Sequence, residues 1–144
     1  MVRWDIANLL SVSGALAMGS STYEWLLNHE EKWSYSIPTW VFTHRNLPVP
    51  EGADIRFVKG GVRESFSDIK NSAAGRDVWV MGGGDLAMQF AHDGLLDEMW
   101  VQIAPVLLGS GRPLATSKHQ LELIEVVRNH DFACLRYSFQ HNSK

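Results

Sequence analysis

In the stretch VWVMGGGDLAMQF, residues 78–90, an apolar run meets Gly82, Gly83 and Gly84 and then a helix-spaced segment. Glycines at a strand-to-helix junction remove Cβ atoms that hold a ligand off the backbone, and they accept backbone angles that other residues resist. The helix start beyond them presents unpaired N–H groups and a partial positive charge. Together these features suit a diphosphate. The same glycines also read as a flexible turn with close helix–sheet packing. They are not a Gly-x-Gly-x-x-Gly fingerprint, because no third spaced glycine follows, nor a P-loop, because no Gly-Lys-Ser/Thr follows. Asp85 places a carboxylate where it would repel a diphosphate, so it is expected to cap its own helix and face away.

Two more segments have the same character. Gly19-Ser20-Ser21-Thr22 links a short apolar run to a helix start, and alone it reads as a good cap. Thr43-His44-Arg45 stands at the end of a strand, where Arg45 is placed to meet a phosphate with a forked pair of hydrogen bonds. Alone it reads as a solvated surface charge. Three anion-friendly strand ends in one sheet argue more strongly than any one.

Other chemistries find less support. The six histidines show no helical pair with a third ligand nearby, so no metal site is expected. No Gly-x-Ser-x-Gly elbow is present. GSGRP at 109–113 resembles a phosphate loop and equally a turn after a strand. The net charge of −3, with 13 scattered Lys and Arg, gives no footprint for nucleic acid. No apolar run approaches the ~18 residues of a membrane span. The N-terminus lacks the layout of a signal peptide, and Cys134 is the sole cysteine. The expectation is a soluble cytoplasmic protein.

The elements that position these segments follow from periodicity. The 144 residues suit one domain, residues 1–144. Residues 4–13 read as a helix, with Gly14 as its stop. Ala15–Met18 reads as a strand, and the Ser21/Glu24 spacing of a capping box opens a helix carrying Tyr23, Leu26 and Leu27. Residues 31–38 read as a loop, Thr39–Thr43 as a strand, Asn46–Gly52 as a loop and Asp54–Val58 as a strand. Val62, Phe66, Ile69 and Ala73 recur at helical spacing and Gly75 closes that helix. Val78–Met81 is the strand before the glycines, and a helix follows over about Asp85–Asp93. Glu98–Val106, Leu121–Val127 and Asp131–Phe139 then read as strands with no helices between, the last two joined by the tight Arg128-Asn129-His130 connection. The pattern predicts a mostly parallel sheet with helices on its faces and an antiparallel hairpin at one edge. Trp79 and Trp100 are expected in the core, and Trp25, Trp33 and Trp40 at a cleft or subunit contact. The exposed edge of the last strands makes a homodimer a reasonable cover.

Five segments in this order resemble the dihydrofolate reductase-like superfamily: LAMGSSTYEWL, VFTHR, VWVMGGGDLAMQF, GLLDEMWVQIAPVLLGSGRPL and LELIEVVRNHDFACLRYSF. They are most similar to the reductase domain of the bifunctional riboflavin-biosynthesis deaminase–reductase and its stand-alone relatives. The likeness covers residues from about 15 to 139. It implies an α/β three-layer sandwich and an NADPH-dependent reductase passing hydride to a pteridine-, pyrimidine- or ribosylamine-like acceptor, or to a carbonyl. It also implies a nucleotide site made from Gly19, Ser20, Ser21, Thr22, Thr43, His44, Arg45, Gly82, Gly83, Gly84, Asp85 and Leu86. Residues 19–22 would lie near the adenosine side, 43–45 near the 2′-phosphate and 83–86 at the diphosphate. Pro105–Gly111 would approach the substrate.

Three departures from the family qualify that expectation. Ser20 stands where relatives carry Arg, so one cation for a 2′-phosphate is absent and His44 and Arg45 bear more of the task. Met81 stands where the riboflavin enzymes place a Glu, which points to the stand-alone group. The family's opening strand and its Ser-Leu-Asp-Gly type loop, which covers the nicotinamide, find no match, so no catalytic residue is assigned. Two classes follow: a reductase of a small heterocyclic or carbonyl substrate, or a nucleotide-binding module of the same fold without catalysis.

Overall fold

β1 (Ser13–Gly19) is the strand from which the rest of the computed structural model, describing residues 6–140, is built. Its Ala15, Leu16, Ala17 and Met18 are all fully buried. Alternate side chains of a strand point to opposite faces, and β1 therefore feeds two cores. Ala15 and Ala17 join Val62, Ile69 and Phe90 on one side, while Leu16 and Met18 join Tyr23, Leu26 and Val41 on the other. A strand covered on both faces reads as a continuous apolar run, which is how ALAM is legible.

α1 (Ile6–Val12) leads into β1, and α2 (Ser20–His29) leaves it. β2 (Thr39–Phe42), β3 (Ile55–Val58), α3 (Val62–Ser72), β4 (Asp77–Gly82) and α4 (Gly84–His92) follow. The four strands form a parallel sheet in the order β3-β2-β1-β4. α3 and α4 bring Val62, Ile69, Leu86 and Phe90 to one face of it. On the opposite face Tyr23 of α2 packs edge-to-face against Trp33 and Phe57, and its hydroxyl donates to the Pro48 carbonyl at 2.5 Å.

β5 (Glu98–Ile103), β6 (Leu121–Asn129) and β7 (Phe132–Phe139) make a separate antiparallel sheet in the order β5-β7-β6. The expected hairpin is therefore present, but as part of this second sheet rather than on the edge of the first. β5 ends at Ile103, three residues before the expected Val106, just ahead of Pro105, which lacks the N–H a ladder needs. β6 runs on to Asn129, and the turn falls at His130-Asp131, with His130 at φ 56°.

Among the described residues β4 pairs with β1 alone and β5 with β7 alone, so each carries an unpaired edge. A cavity of about 470 Å³ lies between α1, the first residue of β4, β5 and β7, lined by Asn8, Asp77, Glu98, Trp100 and Arg136. Trp100, expected in the core, borders this cavity. Its ring lies 5.6 Å from the Arg136 guanidinium and its Nε1–H donates to Glu98 at 3.0 Å.

Three other expectations need correction. Gly14 does not stop a helix. The helix ends at Val12, and Gly14 lies inside β1, pressed against the last turn of α3; residues 4 and 5 of the expected helix are outside the described residues. The Ser21/Glu24 capping box does not form, because β1 runs through Gly19 and Ser20 is already helical; Gly19 holds the N-cap position. Trp33 does border a small cavity of about 130 Å³, with Leu26, Glu30 and Pro50, whereas Trp40 packs on the first core instead. Trp33 packs against Tyr23 and Tyr35, and Trp40 donates to Ser72 Oγ at 2.9 Å beneath the Arg56 guanidinium. Trp25 is 57 % exposed and stacks on His29, its neighbour one turn along α2. Trp79 packs against the second core, as expected. No helix among the described residues is long and apolar enough to cross a membrane.

Candidate functional site

The carboxyl ends of β1 and β4 lie side by side, with Met18 opposite Gly82. Each hands over directly to a helix, Gly19 serving as N-cap of α2 and Gly83 as N-cap of α4, and neither start has a side-chain cap hydrogen bond. A Cβ built on Gly19 would lie 3.8 Å from the Gly83 nitrogen, and one on Gly82 would lie 3.5 Å from Thr22 Oγ1. Two helix N-termini thus open at one place, each with unsatisfied N–H groups and the positive end of its dipole.

The three glycines of the opening stretch have separate roles. Gly82 sits at φ +130°, a conformation that L side chains rarely adopt, and a cis peptide joins it to Gly83. Gly83 is exposed, and a Cβ there would meet nothing within 4 Å. Gly84 serves packing, since its Cβ would lie 3.1 Å from the Leu114 carbonyl oxygen. Only Gly83 therefore keeps open space for a ligand. Leu86 is buried in the core, which leaves its backbone N–H as what it can offer. Asp85 is exposed in the first turn of α4, and the cap position expected of it belongs to Gly83.

On the other side of β1, the end of β2 brings Thr43, His44 and Arg45. Thr43 is buried, its N–H donates to the Val58 carbonyl at 2.9 Å, and its Oγ1 accepts from the Arg45 N–H at 3.1 Å. That bond fixes the turn in which His44 and Arg45 stand exposed. The Arg45 guanidinium is not free: its Nη2 contacts the Glu24 carboxylate of α2. Glu24 is the residue that sequence reasoning assigned elsewhere, because its spacing from Ser21 suggested a local cap. In α2, Ser20 and Thr22 are half-buried and Ser21 exposed. Among the described residues no three of His, Cys, Asp or Glu gather as a metal site. The cavity lined by Asp77 lies at the opposite end of β4 from Gly82 and belongs to the seam between the sheets, not to this site.

The sequence profile of the RibD C-terminal domain matches residues 12–135. The chain belongs to that family. Its fold is accordingly that of the RibD reductase domains, which is dihydrofolate reductase-like. A provisionally named riboflavin biosynthesis protein from Shewanella sp. PV-4 superposes with a TM-score of 0.79 and 26% identity, over 94% of this chain and 79% of that one. RibD of Acinetobacter baumannii shares the fold at a TM-score of 0.76 and 16% identity, over 97% of this chain and 50% of that one. An uncharacterised protein of Bacillus subtilis (strain 168), YyaP, is 29% identical over 109 residues. That match takes in 76% of this chain and 53% of YyaP, so the chain spans about half the length of that relative.

Proposed function

We propose that this RibD C-terminal family chain binds NADPH at the joined ends of β1 and β4 and reduces a small heterocyclic or carbonyl compound. The observation that carries this reading is the pair of glycine-started helices opening at one point beside an unobstructed Gly83. The first turns of α2 and α4 would hold the diphosphate through backbone N–H groups. Thr43, His44 and Arg45 would lie toward the adenosine ribose. NADPH, when bound, supplies the hydride. The chain's own residues position donor and acceptor and exclude water, which is most of what a protein does in such a reaction. Residues 113–114, whose carbonyls lie over Gly84, would border the substrate side. Calorimetric or fluorescence titration with NADPH tests the reading: saturable binding that competes with free ADP supports it, and absence of binding at millimolar NADPH overturns it.

We also propose that the protein is a homodimer through the antiparallel sheet. By register, Ile103, Val101, Leu135, Val126 and Leu123 share one face of that sheet. On it Ile103, Val126 and Leu123 are 50%, 60% and 52% exposed. A monomer rarely leaves a contiguous apolar face of this kind in water. Val126→Glu places a charge in the middle of it. That variant is expected to elute as a monomer in size-exclusion chromatography where the wild type elutes as a dimer; identical elution of the two rejects this interface.

A further inference from the structure

We propose that Glu24 sets the choice between NADPH and NADH, an inference that rests on the nucleotide site just described. Arg45 and Glu24 reach each other from the end of β2 and from α2, and they are in ionic contact. Glu24 Oε1 is out of contact with solvent, while the Arg45 side chain is 59% exposed. The acid is thus the more enclosed partner and the base the more accessible one. Ser20, in the first turn of α2, brings no cation to help.

The pair acts on the two cofactors in opposite senses. A 2′-phosphate seeking Arg45 must share the guanidinium with a carboxylate already on it, and must approach that carboxylate's own negative charge. Like charges this close oppose each other, and the partly enclosed position of Glu24 limits screening. A ribose that keeps its 2′-hydroxyl meets no such obstacle. Its O–H can donate to a carboxylate, as acidic residues do for NAD at the ends of parallel strands. Glu24 therefore favours NADH, and Arg45, once released from Glu24, favours NADPH. The wild-type chain takes both cofactors, with the ratio held down by Glu24.

The test compares NADPH and NADH binding by titration calorimetry for the wild type, Glu24→Gln, Glu24→Ala and the double variant Glu24→Gln/Arg45→Ala. Glutamine keeps the shape of the side chain and removes its charge, and circular dichroism reports whether each variant is folded. Glu24→Gln is expected to raise the NADPH-to-NADH affinity ratio at least tenfold at low salt, and the added Arg45→Ala to abolish that gain. Raising the salt concentration should shrink the gain. An unchanged or lowered ratio in folded Glu24→Gln and Glu24→Ala proteins, with both cofactors still bound, overturns the role of Glu24 and leaves the nucleotide site standing. If the wild type binds neither cofactor, the site itself fails and the inference falls with it.

Discussion

Replacing Gly83 with valine is expected to weaken NADPH binding tenfold or more, about 1.4 kcal/mol or above, while the protein stays folded. The backbone at Gly83 has φ −77° and ψ −173°, an extended conformation that valine adopts without strain. A Cβ there meets no protein atom within 4 Å. The new side chain therefore costs the free protein little. It stands instead beside the first N–H groups of α4, where a diphosphate would have to approach the backbone, and its branched Cβ holds the ligand away. Thermal melting and NADPH titration of the same sample separate the two effects. A folded Gly83→Val protein with unchanged NADPH affinity would refute the placement of the diphosphate.

The larger effect on stability is expected at a different glycine. A Cβ on Gly14 would lie 2.1 Å from the Ala73 carbonyl oxygen and 2.8 Å from its carbon. Both are backbone atoms, so no rotamer change relieves the clash. β1 and the end of α3 must separate, and β1 is the strand on which both cores are built. Overpacking of this kind costs about 1–3 kcal/mol and occasionally more; with a rigid backbone as the obstacle, Gly14→Ala belongs at about 3 kcal/mol. For a chain of this size that lowers the melting temperature by roughly 10 °C. Gly60→Ala is the control, since a Cβ there meets nothing within 4 Å, and its melting temperature should barely move. Equal melting of the two variants would show that α3 yields to β1 at no cost.

These two glycines mark what the sequence made legible and what it hid. The strand-to-helix junctions at Gly19 and Gly83 could be read because turn chemistry is local: glycine, apolar run and helical periodicity lie within a dozen residues. Gly14 looked like a helix stop for the same local reason. Its actual partner, Ala73, is distant in sequence, and only the packing of α3 on β1 explains the missing side chain. Glu24 was hidden in the same way. A capping box is a three-residue spacing, whereas its contact with Arg45 requires β1 and β2 to lie in parallel register. Strand periodicity announced β5, β6 and β7 but carried no signal that β5 would join β7 in a sheet of its own. Pairing partners are a property of the fold, and a strand's own residues specify faces better than neighbours.

The seam between β4 and β5 has a consequence for how the molecule comes apart. No strand pair crosses it among the described residues; the halves meet through Leu95 and Leu96 packed on the first core and through residues 113–114 against Gly84. The antiparallel sheet can therefore open without breaking one hydrogen bond of the parallel ladder. Amide hydrogen exchange would then divide the chain into two protection classes, slowest along β1 and β2, faster from Glu98 onward. Heat would resolve the same two cooperative units as a calorimetric enthalpy larger than the van't Hoff value, since a single all-or-none transition requires the halves to share their hydrogen bonds.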